Sequence, residues 1–242
     1  MSNWDELASW WRDEVRSDFS YPETIFPMLD RLMVGTSGLT LDLGCGEGSG
    51  MRRVEASGRS HCVIGCDLSL DLVREARRTG PVVRCRLPSL DWIRADSIDV
   101  AYSVYVLDLI EDAGRFFAAI ERIVVPGGSL VVIINHPAFT APGSAPLLDD
   151  DGEVLWRWGR YFDAVPSPTV AGDRPIHLQH RPVSALLTAA AAAGWNLEVL
   201  EEHPLGAGFI ERDPGYRGQE LIPRFLGVRW SSASRSVVPV PK

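Results

Sequence analysis

Two carboxylates and a run of alternating glycines are the most chemically specific pattern in this 242-residue chain. Asp42 lies in a short apolar run at residues 39–43, and Gly44-Cys-Gly-Glu-Gly-Ser-Gly50 follows at once. A strand, spaced glycines and then a helix let backbone amides approach a ligand at the helix amino terminus. Asp67 ends the next apolar strand in Gly-Cys-Asp-Leu-Ser, 23 residues beyond Gly44. A carboxylate there can accept both hydroxyls of a ribose, each bond contributing roughly 1.5–3 kcal/mol. The plain alternative for Asp67 is a solvated acid capping the helix that follows. An acid at Asp42 would repel a pyrophosphate and suits a cationic ligand better. A dinucleotide fingerprint starting at Gly44 would also put Ser49 where its third glycine belongs.

Histidines supply the candidate acid–base groups. His136 follows the fifth predicted strand directly, at the edge where open parallel sheets bind ligands. Its imidazole is either a proton acceptor for an attacking oxygen, nitrogen or carbon, or an anchor for the loop backbone. His177 and His180 stand three apart without a credible third ligand, so no metal site is expected. His180 is the second candidate base, with loop anchoring or substrate contact as its other readings. Cys45, Cys62, Cys66 and Cys85 form no CxxC pair and read as reduced, mostly buried thiols of a cytoplasmic protein.

The elements that must position these groups alternate between strand and helix. Apolar runs near 39–43, 62–66, 81–85, 98–106 and 130–135 read as strands, with helices near 49–56, 69–78 and 113–124. That rhythm predicts an α/β fold with a Rossmann-like, mostly parallel sheet and helices on both faces. Residues 1–34 read as an amino-terminal helical cap, with Ser2 and Asp5 resembling a capping box and Trp10 off the apolar stripe. Residues 35–135 form the cofactor-binding core. Residues 136–182 hold seven prolines and several aromatics, and read as an inserted lid too irregular for a sheet. Residues 183–230 return to the core with a helix and two strands, and 231–242 read as a disordered tail.

Composition removes several function classes. Lys242 is the single lysine, so Schiff-base chemistry and a Walker phosphate loop are excluded. A formal net charge of -8 argues against nucleic acid as a partner. The apolar runs are strand-sized and the opening residues too charged for a signal peptide, so no membrane association is expected.

The stretch Leu41-Asp-Leu-Gly-Cys-Gly-Glu-Gly48 resembles motif I of the class I S-adenosylmethionine-dependent methyltransferases. The resemblance covers about residues 39–135, and more weakly 180–230, where His180-Arg-Pro is similar to a small-molecule subgroup of bacterial specialised metabolism. It implies S-adenosyl-L-methionine as cofactor. Asp42 would help hold its amino-acid end, Gly44 and Gly46, with Cys45 between them, would admit its ribose and sulfonium, and Asp67 with Leu68 would take its ribose. Ser103 and Val104 would lie along the methionine part, and Tyr21 with the amino-terminal tryptophans would close over the cofactor, plain packing being the other reading of Tyr21. The acid that accepts the adenine amino group in many members is missing, since Cys85 stands near that position. The backbone near Arg86 and Leu87, or Asp91, is left for that role. The Asp/Asn-Pro-Pro-Tyr form of nucleic-acid methylating members is absent. The implied activity is methyl transfer to an O, N or C nucleophile of a small, uncharged or aromatic metabolite resembling a phenol or indole. The rival readings are a non-catalytic cofactor-binding or scaffold protein and, less favoured, an NAD-dependent oxidoreductase. A monomer or homodimer is expected.

Overall fold

The computed structural model describes residues 4–171 and 173–233. The chain opens with α1 (Trp4–Ser17), a π-helical turn (Tyr21–Ile25) and α2 (Phe26–Leu32). It continues through β1 (Gly38–Leu43), α3 (Ser49–Ala56), β2 (Ser60–Asp67), α4 (Leu70–Ala76), β3 (Val82–Arg84) and β4 (Ile98–Val104). Next come α5 (Ala113–Ile123), β5 (Val124–Asn135) and the single turn α6 (Pro137–Thr140). Two hairpins follow, β6 (Ala145–Leu148) with β7 (Val154–Arg157), and β8 (Pro166–Ala171) with β9 (Arg174–Gln179). The chain returns through α7 (Val183–Ala192), β10 (Trp195–His203), α8 (Ala207–Arg212) and β11 (Phe225–Ser232).

Seven strands form one sheet in the order β10-β11-β5-β4-β1-β2-β3. Pairing is parallel from β5 to β3, while β11 runs antiparallel to both β5 and β10. The order reverses between β1 and β4, and ligands of such sheets sit beyond the carboxyl ends of the strands at that point. This is the expected Rossmann-like fold.

Each face of the sheet is covered by its own apolar layer. On one side α5 presents Phe116, Phe117, Ile120 and Ile123 to the sheet, and Trp195 and Trp230 join them. Spacing at helical period puts these α5 side chains on one stripe. On the other side Ile25, Met28 and Leu29 meet Met51, Val54 and Val73. A smaller cluster joins the cap to the lid, where Leu7 packs with Ala171 and Ile176, and Trp4 and Trp10 lie against it. Trp10 is therefore used between elements rather than within its own helix.

Three local expectations are corrected. The lid contains two antiparallel hairpins rather than irregular chain. Its prolines at 146, 166, 168 and 175 are tolerated because both strands of an isolated hairpin are edges. The expected tail begins too early at 231: Ser231 pairs with Ser129, and Ser232 is buried at the end of β11. Residues 234–242 lie outside the described residues, as does Ser2. Asp5, read as half of a capping box on its own helix, instead serves α4. It accepts hydrogen bonds from the Ser69 hydroxyl at 2.9 Å and the Leu70 N–H, and Arg84 donates to it at 3.2 Å. The Ser69 bond, above all, holds the Asp5 carboxyl below its ordinary range.

Among the described residues no helix is long and apolar enough to cross a membrane.

Candidate functional site

The glycine loop leaves β1 with its backbone bent back under β2. Gly44 N and Cys45 N both donate to Cys66 O, at 2.7 and 2.9 Å. Gly44 has φ +80°, and a Cβ there would fall 2.3 Å from the Val106 side chain. The turn therefore requires glycine on two counts, backbone strain and space. Gly46 is also left-handed, and its missing Cβ would come within 3.1 Å of the Trp11 indole nitrogen. Trp11 of the cap thus stands over the loop, on the side from which the amino-terminal tryptophans were expected to close.

Asp67 closes the cradle from β2. Its Oδ2 accepts from Gly46 N at 3.0 Å, and its Oδ1 accepts from Ser69 N at 2.8 Å. Each oxygen keeps a lone pair for a further donor, as a ribose diol needs. Asp42 lies deeper, buried beneath the first turn of α3. It pairs across the β1–β4 ladder with Tyr102, whose hydroxyl donates to it at 2.6 Å. Gly50 makes this possible, since a Cβ there would lie 3.0 Å from the Asp42 carboxylate. Tyr102 and Gly50 were not singled out from the sequence, because their role depends on a partner in another strand or helix.

The charge balance of this cradle is unusual. Burial, with the neighbouring carboxylates of Asp67 and Glu47, pushes the Asp42 carboxyl up to about 7 despite the Tyr102 bond. Burial also raises Asp67. Glu47 is paired with Arg52 at 3.1 Å, but no ion pair reaches Asp42 or Asp67 among the described residues.

The remaining expected cofactor residues spread along the same edge. Cys45 is buried among Asp42, Asp67 and Glu47, which with desolvation push its thiol up and keep it unreactive. Leu68 presents its carbonyl to Arg84 Nε at 2.9 Å. Leu87 is half-buried against the α5 side of the core. Ser103 is buried in β4 with an unpartnered hydroxyl, and Val104 packs on the opposite face. Tyr21 lies in the π-helical turn, its ring 5.9 Å from that of Tyr105 and 5.5 Å from Phe26. Tyr105 follows β4 with φ +58°, a strained backbone for a bulky side chain at a ligand-binding edge.

Of the two readings open for each histidine, proton acceptor or loop anchor, the hydrogen bonds favour the anchor. His136 Nδ1 accepts from Ala138 N at 3.0 Å, capping α6, and Nε2 lies 2.7 Å from Glu202 Oε1. His180 Nδ1 meets the Thr140 hydroxyl at 2.9 Å, and Nε2 donates to Tyr161 O at 2.8 Å. All four ring nitrogens are engaged, and burial shifts both groups toward their neutral forms. They pin loops, and as placed neither offers a lone pair to an acceptor. His177 is exposed on β9.

A glycine cradle at the switch point, flanked by the buried Asp42 and the half-buried Asp67 with no ion-paired cation on either among the described residues, fits a cationic nucleoside ligand. Residues 41–132 match the family described as the methyltransferase domain. Over these residues the chain carries a methyltransferase domain. A solved S-adenosylmethionine-dependent methyltransferase from Mesorhizobium loti is 28% identical, with a TM-score of 0.73, covering 89% of this chain and 99% of that one. An uncharacterised protein of a Streptomyces fradiae transposon is 36% identical over 54% of this chain and 38% of its own length. A trans-aconitate 2-methyltransferase from Methylobacterium radiotolerans is 27% identical over 68% of this chain and 62% of its own. The chain thus spans less than two thirds of the length of these curated relatives. The residues present fit S-adenosylmethionine as cofactor: acids for its positive charge, and glycines that let the loop backbone turn closely against Val106 and Trp11.

The raised Asp42 makes cofactor affinity depend on pH. A cation favours the ionised carboxylate, so below about pH 7 binding must expel a proton and is weakened. S-adenosylmethionine affinity is expected to rise with pH by up to about tenfold per unit below 7 and to level off above it. Calorimetry in buffers of different ionisation enthalpy reads the released proton directly. Asp42→Asn should abolish the release; a flat profile in the parent protein would rule out this role.

Proposed function

We propose that the protein transfers a methyl group from S-adenosylmethionine to an oxygen, nitrogen or carbon nucleophile of a small molecule. The observation that carries this reading is the pair of acids, Asp42 and Asp67, left without a cation on either side of the glycine cradle. When bound, the cofactor supplies a methyl group on an electrophilic sulfonium. The protein's part is then to position the acceptor in line and keep water out. Tyr105, Tyr21 and Phe225 supply an aromatic wall beyond β4, with ring centroids 5.9 and 6.3 Å from Tyr105. The cap and lid cover this edge through the Leu7 cluster and the Glu6–Arg174 ion pair. In this reading His136 and His180 are positioning residues that hold α6 and the lid, and move no proton.

The aromatic wall supports a planar acceptor, and the acidic chain without a nucleic-acid methylation motif supports a small one. A monomeric or homodimeric cytoplasmic enzyme of bacterial specialised metabolism is the setting this implies. The engaged histidines favour a second reading, a cofactor-binding protein that has lost catalysis. Calorimetry with S-adenosylhomocysteine and with NAD, followed by methyl transfer from labelled S-adenosylmethionine to phenols, indoles and carboxylic acids, separates the readings. Binding of S-adenosylhomocysteine in preference to NAD, with label moved to an acceptor, is expected. Tight binding of NAD alone would sink the proposal; S-adenosylhomocysteine binding with no transfer would favour the second reading.

A further inference from the structure

We propose that Arg224 seats a carboxylate of the methyl acceptor, so that the acceptor is a small, flat monocarboxylate rather than an uncharged molecule. This rests on the methyltransferase reading and names its substrate class. Arg224 precedes β11 by one residue, and its backbone is fixed on both sides. Its N–H donates to His203 O at 2.8 Å, and its carbonyl accepts from His136 N at 2.8 Å. Phe225 pairs with Asn135, the last residue of β5, so Arg224 stands just beyond the carboxyl end of that strand. Tyr105 and Asp108, which follow β4, both face it. This is the edge at which the acceptor must meet the cofactor.

The guanidinium is held but not satisfied. Its carbon lies 3.3 Å from the centroid of the Phe139 ring, and Phe225 flanks it at 5.8 Å. Nε and Nη1 are both buried and have no hydrogen-bond partner among the described residues. Arg181, in the same region, shows what a structural arginine looks like here: it donates to Leu107 O, Gln179 O, Ile110 O and Glu111 O. The acids that face Arg224 are engaged elsewhere. Asp18 accepts from Ser20 N and its hydroxyl at 2.7 Å, and Asp108 accepts from Asn135 N at 3.2 Å. Stacking on a ring does not replace the hydrogen bonds of a buried guanidinium, so its donors call for an anionic oxygen ligand.

Charge and shape narrow that ligand. One unpaired guanidinium balances one negative charge, and Asp18 and Asp108 nearby oppose a second, which disfavours a phosphate dianion. Phe139 also stacks on Trp156 at 5.6 Å with an interplanar angle of 23°, so the guanidinium is held in plane by a stack of rings that presents its edge to a flat carboxylate. The chain's net charge of -8 argued for an uncharged acceptor, but one buried cation sets the potential at its own site.

The test uses the full chain saturated with S-adenosylhomocysteine. Benzoate, para-hydroxybenzoate and indole carboxylate are each titrated calorimetrically beside the corresponding amide. At least one acid is expected to bind tenfold or more tightly than its amide. Arg224→Met should erase that preference while S-adenosylhomocysteine affinity stays within twofold, and Arg224→Lys should keep part of it. Acids and amides binding alike, no acid binding, or a preference that survives Arg224→Met would each overturn the carboxylate seat. A purely structural arginine would show itself as a lowered melting temperature in Arg224→Met with the ligand preference untouched. If S-adenosylhomocysteine itself does not bind, the methyltransferase reading falls and the seat falls with it. If it binds and the acids do not, the seat alone is lost.

Discussion

Trp230→Ala is expected to destabilise the protein by about 3–5 kcal/mol, the usual cost of emptying a large aromatic from a packed core. Trp230 is 1% exposed and meets Phe117 edge-on with ring centroids 5.4 Å apart. Phe117 in turn packs on Phe116 at 5.6 Å, and its carbonyl accepts the Trp195 indole N–H at 3.1 Å. Removing the indole therefore opens a void against α5, and the surrounding rings can collapse into it only in part. The position also matters for topology. Trp230 pairs with Leu130 of β5 on one side and Leu197 of β10 on the other, so the loss falls in the middle of the antiparallel edge. A domain of this kind has only about 5–15 kcal/mol of net stability to lose. The melting temperature should fall by roughly 6–20 °C at about 2–4 °C per kcal/mol for a chain of this size. Trp230→Phe, which keeps one ring, should recover most of it. Denaturant unfolding measures both; a loss under about 1 kcal/mol for Trp230→Ala would contradict the packing described.

The placement of Trp230 shows where local reading stops. Parallel strands with helices between them were legible because their signals are local: apolar runs, glycine breaks and the helical spacing of Phe116, Phe117 and Ile120. The cradle was legible for the same reason, since Asp42, Gly44, Gly46 and Asp67 lie at strand ends marked by the apolar pattern. Ser231 and Ser232 read as tail because serines carry no strand signal; their pairing is imposed from elsewhere, Ser231 by Ser129 of β5 and Ser232 by Trp195 of β10. The lid hairpins were hidden by prolines that only edge strands allow. The histidines stayed undecided between base and anchor because their partners are distant in sequence: Glu202 lies 66 residues from His136, and Thr140 lies 40 from His180. Arg224 left no trace in the sequence, because its meaning is the lack of a partner inside the fold.

Asp67→Ala is expected to raise the dissociation constant for S-adenosylhomocysteine by one to two orders of magnitude, about 1.4–2.8 kcal/mol. Two losses add to give this. The ribose loses an acceptor for its hydroxyls, and the glycine loop loses the pin between Gly46 N and Oδ2. The two can be separated. Asp67→Asn keeps one acceptor oxygen, yet its amide must turn N–H toward either Gly46 or Ser69, both of which donate. It should therefore recover little affinity, whereas Asp67→Glu, with two oxygens but a longer reach, should recover some. Stability without ligand should change far less than affinity. Burial raises Asp67, and Asp5 adds to it, so removing the carboxylate relieves a buried charge while it frees two N–H groups. Calorimetry for affinity and thermal unfolding for stability read the two effects apart. An unchanged dissociation constant would remove Asp67 from the ribose. A loss of fold without ligand would make it a structural cap, leaving the charge of Asp42 as the sole electrostatic attraction for the cofactor.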